Sequence, residues 1–456
     1  MRELPKGWEA TTIGKVASKI GSGATPKGGK NAYKAEGIPL LRSLNVHFDG
    51  VRREGLAFID DEQASKLDNV VVYADDVLLN ITGASIGRVA IAPAQYEGAR
   101  VNQHVSIIRP VEGVEPEFLS KFLASPPSQT KIMNENYGAT RQALTKTMIE
   151  EFGLPLPPLA EQRRIVEKLD QLSARIRAAK DHLTHVQTLA TRAKQATLAA
   201  AFRGELTADW RAQTDATEWV ETSIDSLLDG VTAGKNLRCV EKPPKAHEIG
   251  VVKVSAVTWG RFDETQAKTL PDDFEPAEKT LIEDGDFLFS RANTIELVGA
   301  CAIVEEAPGN LYLSDKVLRL EMDDGLKPWV MHYLRSTEGR DALEKASSGN
   351  QQSMRNISQK ALKQIVVPLP PLEEQTEIVR RIEAAFARID RMVAEAAKAR
   401  ALLERLEQQL LAKAFRGELV PQDPNDEPAS ALLARIREAR ANAPKPKRTR
   451  KKKAAS

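Results

Sequence analysis

The chain has 456 residues, too many for a single hydrophobic core, so two to four domains are expected. Its formal charge of +2, with charged residues at 28%, announces no global basic excess for nucleic acid and fits a soluble protein. No run approaches the ~20 apolar residues of a membrane span, the N-terminus lacks the apolar stretch of a secretory signal, and Cys239 and Cys301 alone make neither a disulfide framework nor a zinc site; together these point to the cytoplasm and away from a membrane.

Residues 1–154 read as a first globular domain. Ile38–Leu41, Val70–Tyr73, Val77–Ile81, Arg88–Ile91 and Val105–Arg109 are short runs rich in Val and Ile, separated by Gly, Asn or Asp, and are expected strands. Glu117–Leu123 and Thr145–Phe152 are expected helices, which makes the domain mixed α/β with a mostly β core. Gly83-Ala-Ser85-Ile-Gly87 has the pattern of a nucleophile elbow, but that motif needs a helix after the serine, and Arg88–Ile91 reads as a strand. The stretch Gly21–Lys30 is glycine-rich and basic but lacks the Gly-Lys-Ser/Thr of a phosphate loop.

Residues 155–206 open on Pro-Leu-Pro-Pro-Leu-Ala-Glu-Gln and close on Ala-Phe-Arg-Gly-Glu-Leu. Between these, apolar residues recur in steps of four and three, through Ile165, Leu169, Leu172, Ile176, Leu183 and Val186, which is the seam of a coiled coil. The prolines start the helix and Gly204 stands where a C-terminal glycine is expected. A polar linker, 207–217, follows. Residues 218–367 then form a second globular domain that echoes the first: Trp219-Val-Glu-Thr-Ser-Ile224 answers Trp8-Glu-Ala-Thr-Thr-Ile13, and Asp286-Phe-Leu-Phe answers Asp76-Val-Leu-Leu. Residues 368–419 repeat the long helix, with its seam at Ile378, Ile382, Ile389, Met392, Leu403, Leu406 and Leu410. Residues 420–456 are a tail, with a short amphipathic helix at Ala429–Arg440 and then a run of Lys and Arg without acids that reads as solvated and disordered.

Segments 155–206 and 368–419 align without a gap and share 23 of 52 residues, so the protein is a tandem duplication. The helices are near copies, whereas the globular domains share a skeleton. One job done twice and one kind of job done on two targets would give that pattern. Each helix should be ~60 Å long at 1.5 Å per residue, while a linker of about a dozen residues reaches ~40 Å at most. Antiparallel pairing of the helices, with a globular domain at each end and an approximate twofold axis, needs no long return of the chain.

No catalytic constellation and no metal site emerges. Both globular domains instead offer loops that mix cationic, amide and hydroxyl side chains. In the first these are Ser22, Thr25, Lys27, Arg42, Ser43, Asn45, Thr82, Ser85, Arg88, Asn102, Gln103, Arg141 and Gln142. In the second they are Lys235, Asn236, Arg238, Lys253, Ser255, Arg291, Asn293, Thr294, Lys316, Gln351, Gln352 and Arg355. Arg, Lys, Asn and Gln can read base edges in the major groove, and further cations and hydroxyls hold phosphates.

With the doubled Pro-Leu-Pro-Pro-Leu-x-Glu-Gln, the doubled Ala-Phe-Arg-Gly-Glu-Leu and the Gly-x-Thr-Pro loop at Gly23–Pro26, the chain resembles the DNA-specificity subunits of type I restriction–modification enzymes over about residues 4–420. The second domain departs from the loop pattern, with Thr232-Ala-Gly-Lys235 in its place. The resemblance implies two target recognition domains, 1–154 and 218–367, each reading half of a split site in double-stranded DNA. It implies that the helices form an antiparallel spacer that sets the gap and docks modification subunits, expected to number two. Those partners would carry adenine methylation with S-adenosylmethionine, and restriction subunits would add ATP- and Mg-dependent translocation and cleavage. This chain would itself bind no cofactor and catalyse nothing. The competing expectation is a coiled-coil scaffold that joins proteins and has no DNA role.

Overall fold

The computed structural model describes residues 4–135, 143–214, 218–271, 276–351 and 354–442. Arg141, Gln142, Gln352 and the basic run beyond Asn442 lie outside them, as does the side chain of Gln351. The chain forms two compact units, Met1–His182 with Lys398–Ser456, and Leu183–Ala397. Each unit therefore takes one globular domain and a part of both long helices.

In the first unit a four-stranded antiparallel sheet has the order Ala17–Ser22, Val105–Pro110, Val77–Asn80, Val89–Ile91. Successive side chains of a strand point to opposite faces, and this sheet is buried on both. Val77, Leu79 and Ile108 enter one core with the helix Pro116–Ala124 and parts of both long helices. Leu78, Val105 and Ile107 enter another, against the three-stranded sheet Ala57–Ile59, Ile38–Leu41, Arg100–Val101. That two-sided burial explains why the strands read as continuous apolar runs. The run Val70–Tyr73 is the exception to the expected strands. It holds a helical turn, Asp68–Val70, and one bridge from Val71 to Arg100. Val72 N donates to Ala99 O and Gly98 N to Val72 O, both at 2.9 Å, and side chains take part as well: Arg109 Nη2 donates to Val71 O at 3.0 Å and Tyr73 N donates to Asp76 Oδ2 at 2.8 Å.

The second unit repeats this topology. Its sheets run Gly230–Ala233, Val317–Glu321, Phe287–Ser290, Cys301–Ile303 and Ala267–Thr269, Gly250–Val252, Leu311–Tyr312. The repeated Asp has the same task in both. Asp76, buried, accepts from Arg109 Nε at 2.7 Å and Nη2 at 2.8 Å, while Asp286 accepts from Arg319 Nη1 at 2.9 Å.

The long helices span Leu159–Phe202 and Leu372–Ala414. Their pairing is antiparallel. In the first unit Ile165 and Leu169 share a core with Ala414 and Phe415, and Lys180 pairs with Glu407 at 2.7 Å. In the second, Leu198 and Phe202 share a core with Ile378, Ile382 and Phe386, and Lys194 pairs with Asp390 at 2.6 Å. Ile165, Leu169, Ile176, Ile378 and Ile382 are buried, and Leu172, Leu183, Val186, Ile389, Leu403 and Leu410 half-buried. Met392 and Leu406 do not belong to the seam; they are 63% and 44% exposed. Steps of four through Ala385, Ile389 and Val393 carry the half-buried stripe past Met392, and the step from Leu403 to Glu407 carries it past Leu406. A straight helix drifts in this way against a strict heptad. Among the described residues no helix is long and apolar enough to cross a membrane.

The doubled signatures are the clamps that hold helix to domain. Phe415 meets Phe118 and Phe122 edge-on, both at 5.4 Å between centroids. Phe202 meets Trp329 at 4.8 Å and Tyr333 at 5.4 Å. Gly204 and Gly417, at φ +74° and +71°, end the helices in the left-handed conformation that glycine adopts without strain. Glu161 and Glu374 are both buried at the helix starts. Glu374 accepts from Thr207 Oγ1 at 2.8 Å, Arg211 Nη1 at 2.7 Å and Trp219 Nε1 at 2.9 Å, so residues 207–211 are an ordered part of this joint. The C-terminal helix, Ala429–Asn442, packs on the first unit through Leu432, Leu433 and Ile436.

Candidate nucleic-acid interface

In each unit the loop that leaves the first strand of the large sheet begins at a glycine wedged under a backbone carbonyl. Gly23 N donates to Asn102 O at 3.1 Å and Gly234 N to Ser314 O at 3.2 Å. A Cβ would collide with Val101 O at the first position and with Leu313 O at the second. The second domain thus keeps the essential glycine although it lacks the Gly-x-Thr-Pro form. No rotamer change relieves a clash with backbone. Gly23→Ala and Gly234→Ala should each destabilise their unit by about 1–3 kcal/mol or more, as overpacking does, which urea unfolding would measure.

Beside Gly23, Ser43, Thr82, Ser85, Arg88 and His104 line a cavity of about 870 Å³. A hydrogen-bonded chain crosses its rim. Thr25 donates to Gln103 Oε1, Gln103 Nε2 lies 3.1 Å from His104 Nε2, and His104 Nδ1 bonds Thr82 Oγ1. An amide nitrogen can only donate, so His104 Nε2 accepts and Nδ1 carries the proton. Gln103 is thereby held with one amide N–H left over. Ser85 Oγ receives Asn80 Nδ2 at 3.2 Å, and the Val89–Ile91 strand follows it antiparallel to Val77–Asn80. With both ring nitrogens of His104 engaged, the neighbouring imidazole is not placed to deprotonate Ser85.

In the second unit Lys235, Asn236, Lys253, Ser255 and Lys316 come together around a cavity of about 340 Å³. Lys268, Glu241 and Cys239 join them there. Glu241 pairs with Lys268, and with Lys253 at 3.8 Å; the Lys268 ammonium holds its carboxyl below the usual range. Burial pushes the Cys239 thiol up. Lys235 and Lys316 are exposed, with no ion pair among the described residues. The two cavities thus differ in kind. The first offers hydroxyls, an amide and one guanidinium, and the second offers a cluster of lysines.

Several candidates are occupied in holding the loops. Asn45 is fully buried, accepts from Arg42 N at 3.0 Å and donates to Arg52 O at 3.0 Å and Glu54 O at 3.1 Å. Asn102 is buried and accepts from His104 N at 3.0 Å. Arg42 donates to Gly55 O and lies over the Tyr33 ring, and Ser22 pairs with Ser106 in the sheet. Arg355 donates to Ser347 Oγ at 3.0 Å and Gly349 O at 2.7 Å, closing its own hairpin. Arg291, Asn293 and Thr294 sit by the small sheet of Ala292–Asn293 and Met354–Asn356, outside the lysine cluster; Arg291 Nε reaches Asn356 Oδ1 at 3.4 Å. Lys27, Asn236 and Arg238 are exposed. His104 and Lys268 were missed by sequence reasoning. His104 adjoins Gln103, but Lys268 reaches the cluster only because Val251 pairs with it across two strands.

The chain matches the sequence model of the type I restriction modification DNA specificity domain twice, over residues 5–187 and 236–397. It is 29% identical over 472 residues to the type I restriction enzyme EcoKI specificity subunit of Escherichia coli (strain K12), covering 99% of each chain. It is 26% identical over 466 residues to the StySPI specificity subunit of Salmonella potsdam, again covering 99% of each. Among solved structures, the HsdS subunit from Thermoanaerobacter tengcongensis superposes with a TM-score of 0.59 at 22% identity, over 92% of this chain and 99% of that one. A chain from a study of assembly and conformational transition of the type I R-M system gives 0.63 at 22% identity, over 92% and 100%. At such identities these two structures speak to the fold.

Proposed function

The chain belongs to the type I restriction–modification DNA-specificity family, and we propose that it reads an asymmetric, split site in duplex DNA, one globular domain per half-site. The observation that carries this reading is the pair of cavities built on one topology and lined by different chemistry. Identical scaffolds bring the loops to the same place, and different side chains then select different bases. In the second domain Lys235, Lys253 and Lys316 hold phosphates, which sets register without carrying sequence information, and Asn236 reads a base edge. In the first, Gln103 and Arg88 present donors to base acceptors.

By the same reading the protein works inside a larger complex. Modification subunits carrying S-adenosylmethionine swing the target adenine out of the helix to methylate it, and restriction subunits use ATP and Mg. This chain contributes recognition and leaves the chemistry to them. The long helices, each continuing from one unit into the other, set the length of the unread gap and receive the modification subunits.

Binding of a split-site duplex should fall for Lys253→Ala and Lys316→Ala, and the slope of log K against log salt should shrink by about one for each lysine removed. Gln103→Ala should relax the preferred sequence in one half-site and leave the other intact. A protein that only joined other proteins would show neither effect, and salt-independent binding would refute the reading.

A further inference from the structure

Among the described residues the C-terminal helix Ala429–Asn442 has no counterpart on the second unit, yet its seat is duplicated there. In the first unit Leu432 lies over Gly113, so closely that a Cβ there would strike it. Arg440 donates to Gly14 O at 3.2 Å and Ala17 O at 2.7 Å, at the end of the helical turn Ile13–Val16. Leu159, at the start of the long helix, is half-buried beside it. The duplication places Ile224–Leu227, Leu228, the turn 323–325 and Leu372 in the same positions of the second unit. There Leu372 is 61% exposed, Leu227 and Leu228 are half-buried, and Gly325 is exposed, a Cβ on it meeting only the Asp323 side chain among the described residues.

The two seats differ in charge. Where the first has Gly14, Ser18 and Val111, the second has Asp225, Asp229 and Asp323, while Glu112 and its counterpart Asp324 make that position acidic in both. Lys363 pairs with Asp225 at 2.8 Å and Lys327 with Asp324 at 2.5 Å, while Asp229 and Asp323 have no cation among the described residues. The helix seated on the first unit carries Arg435 and Arg437 on either flank of its apolar Leu432, Leu433 and Ile436, and Arg440 at the end of that face.

We propose that the second unit carries an empty, acid-edged copy of this seat, and that it takes a basic amphipathic helix from a partner protein. A leucine or isoleucine pair of that helix covers Leu228 and Leu372. An arginine one turn or so beyond reaches the carbonyls that end Ile224–Leu227, as Arg440 does in the first unit, with Asp229 and Asp323 at hand. The chain's own helix does not supply this occupant, because its apolar face is already buried.

The test uses the full-length protein and a synthetic peptide of the 427–442 sequence with a photo-crosslinker at position 436, as a probe of the required chemistry. Saturable, salt-sensitive binding is expected, with crosslinks near Leu228 and Leu372. Leu372→Glu should weaken it about tenfold or more, and the double variant Asp229→Lys, Asp323→Lys comparably. Both sites are at the surface, so these variants should fold, which circular dichroism would check. Failure to bind, or crosslinks confined to the first unit, would overturn the proposal. A concentration-dependent dimer abolished by deleting residues 429–456 would also overturn it, by making the occupant a second copy.

Discussion

Glu374→Gln should destabilise the second unit by about 1–3 kcal/mol, the cost of a buried polar group without a partner, whereas Glu161→Gln should leave the first unit unchanged or more stable at neutral pH. The two glutamates stand at the same place in the duplicated motif and both are buried. Their surroundings decide the difference. Glu374 accepts three bonds, two on Oε1 from Thr207 and Arg211 and one on Oε2 from Trp219. A glutamine offers one oxygen, so its NH₂ must confront a donor, and the attraction to Arg211 is lost. Glu374→Ala, which takes the acceptor from Thr207, Arg211 and Trp219 at once, should cost more than Glu374→Gln.

Glu161 is less well served. Gln422 Nε2 lies 3.3 Å away, and the Trp8 indole N–H pulls on the carboxyl without reaching hydrogen-bonding geometry. Arg164 is engaged by Asp426 at 2.6 Å. Burial is the largest influence and raises the Glu161 carboxyl above its ordinary 4.5, with Asp426 adding to the rise. A carboxyl whose folded pKa is raised takes up a proton more readily in the folded state. Its favourable contribution is complete below the ordinary value of 4.5 and is lost as pH rises through the raised one. Glutamine mimics the protonated form at every pH, so Glu161→Gln should flatten that dependence. Native-state hydrogen exchange, read separately on peptides from each unit, would measure both effects. Equal costs for the two substitutions would contradict this account.

Removing one turn from the middle of each long helix should shift the methylated motif to a gap shorter by about one or two base pairs, with both half-sites unchanged. Four residues account for ~6 Å of helix, and a base pair for ~3.4 Å of duplex. The middle of the pair tolerates such a cut better than the ends. Its seam positions are half-buried, while Ile165, Ile378 and Ile382 at the helix starts are fully buried in the cores of the units. Methylome sequencing of a host carrying the shortened protein would read the motif directly. An unchanged gap would remove the helices from any spacer role.

The duplication was legible because its two signatures are tasks that tolerate few substitutes. Phe202 and Phe415 fill aromatic pockets, Gly204 and Gly417 hold a left-handed backbone, and Glu161 and Glu374 sit buried at helix starts. Periodicity revealed both long helices and the C-terminal one, since each keeps an apolar stripe at helical spacing over many turns. It misplaced Met392 and Leu406 because a heptad count ignores the slow drift of a straight helix. In the globular domains the sequence by itself determined the fold class and most of the central strands, whose side chains are buried on both faces.

Tertiary structure alone decided which polar residues are free to meet a ligand. Asn45, Asn102 and Arg355 have the same chemistry as Asn236, Gln103 and Arg88, and nothing local in the sequence separates the two sets. The first set is consumed by hydrogen bonds to backbone groups that are neighbours only after the loops close. The lysine cluster arises the same way, since strand register carries Lys268 to Lys253 and Lys316. A pattern along the chain records what each residue can do, and only the folded arrangement records what has already been taken up.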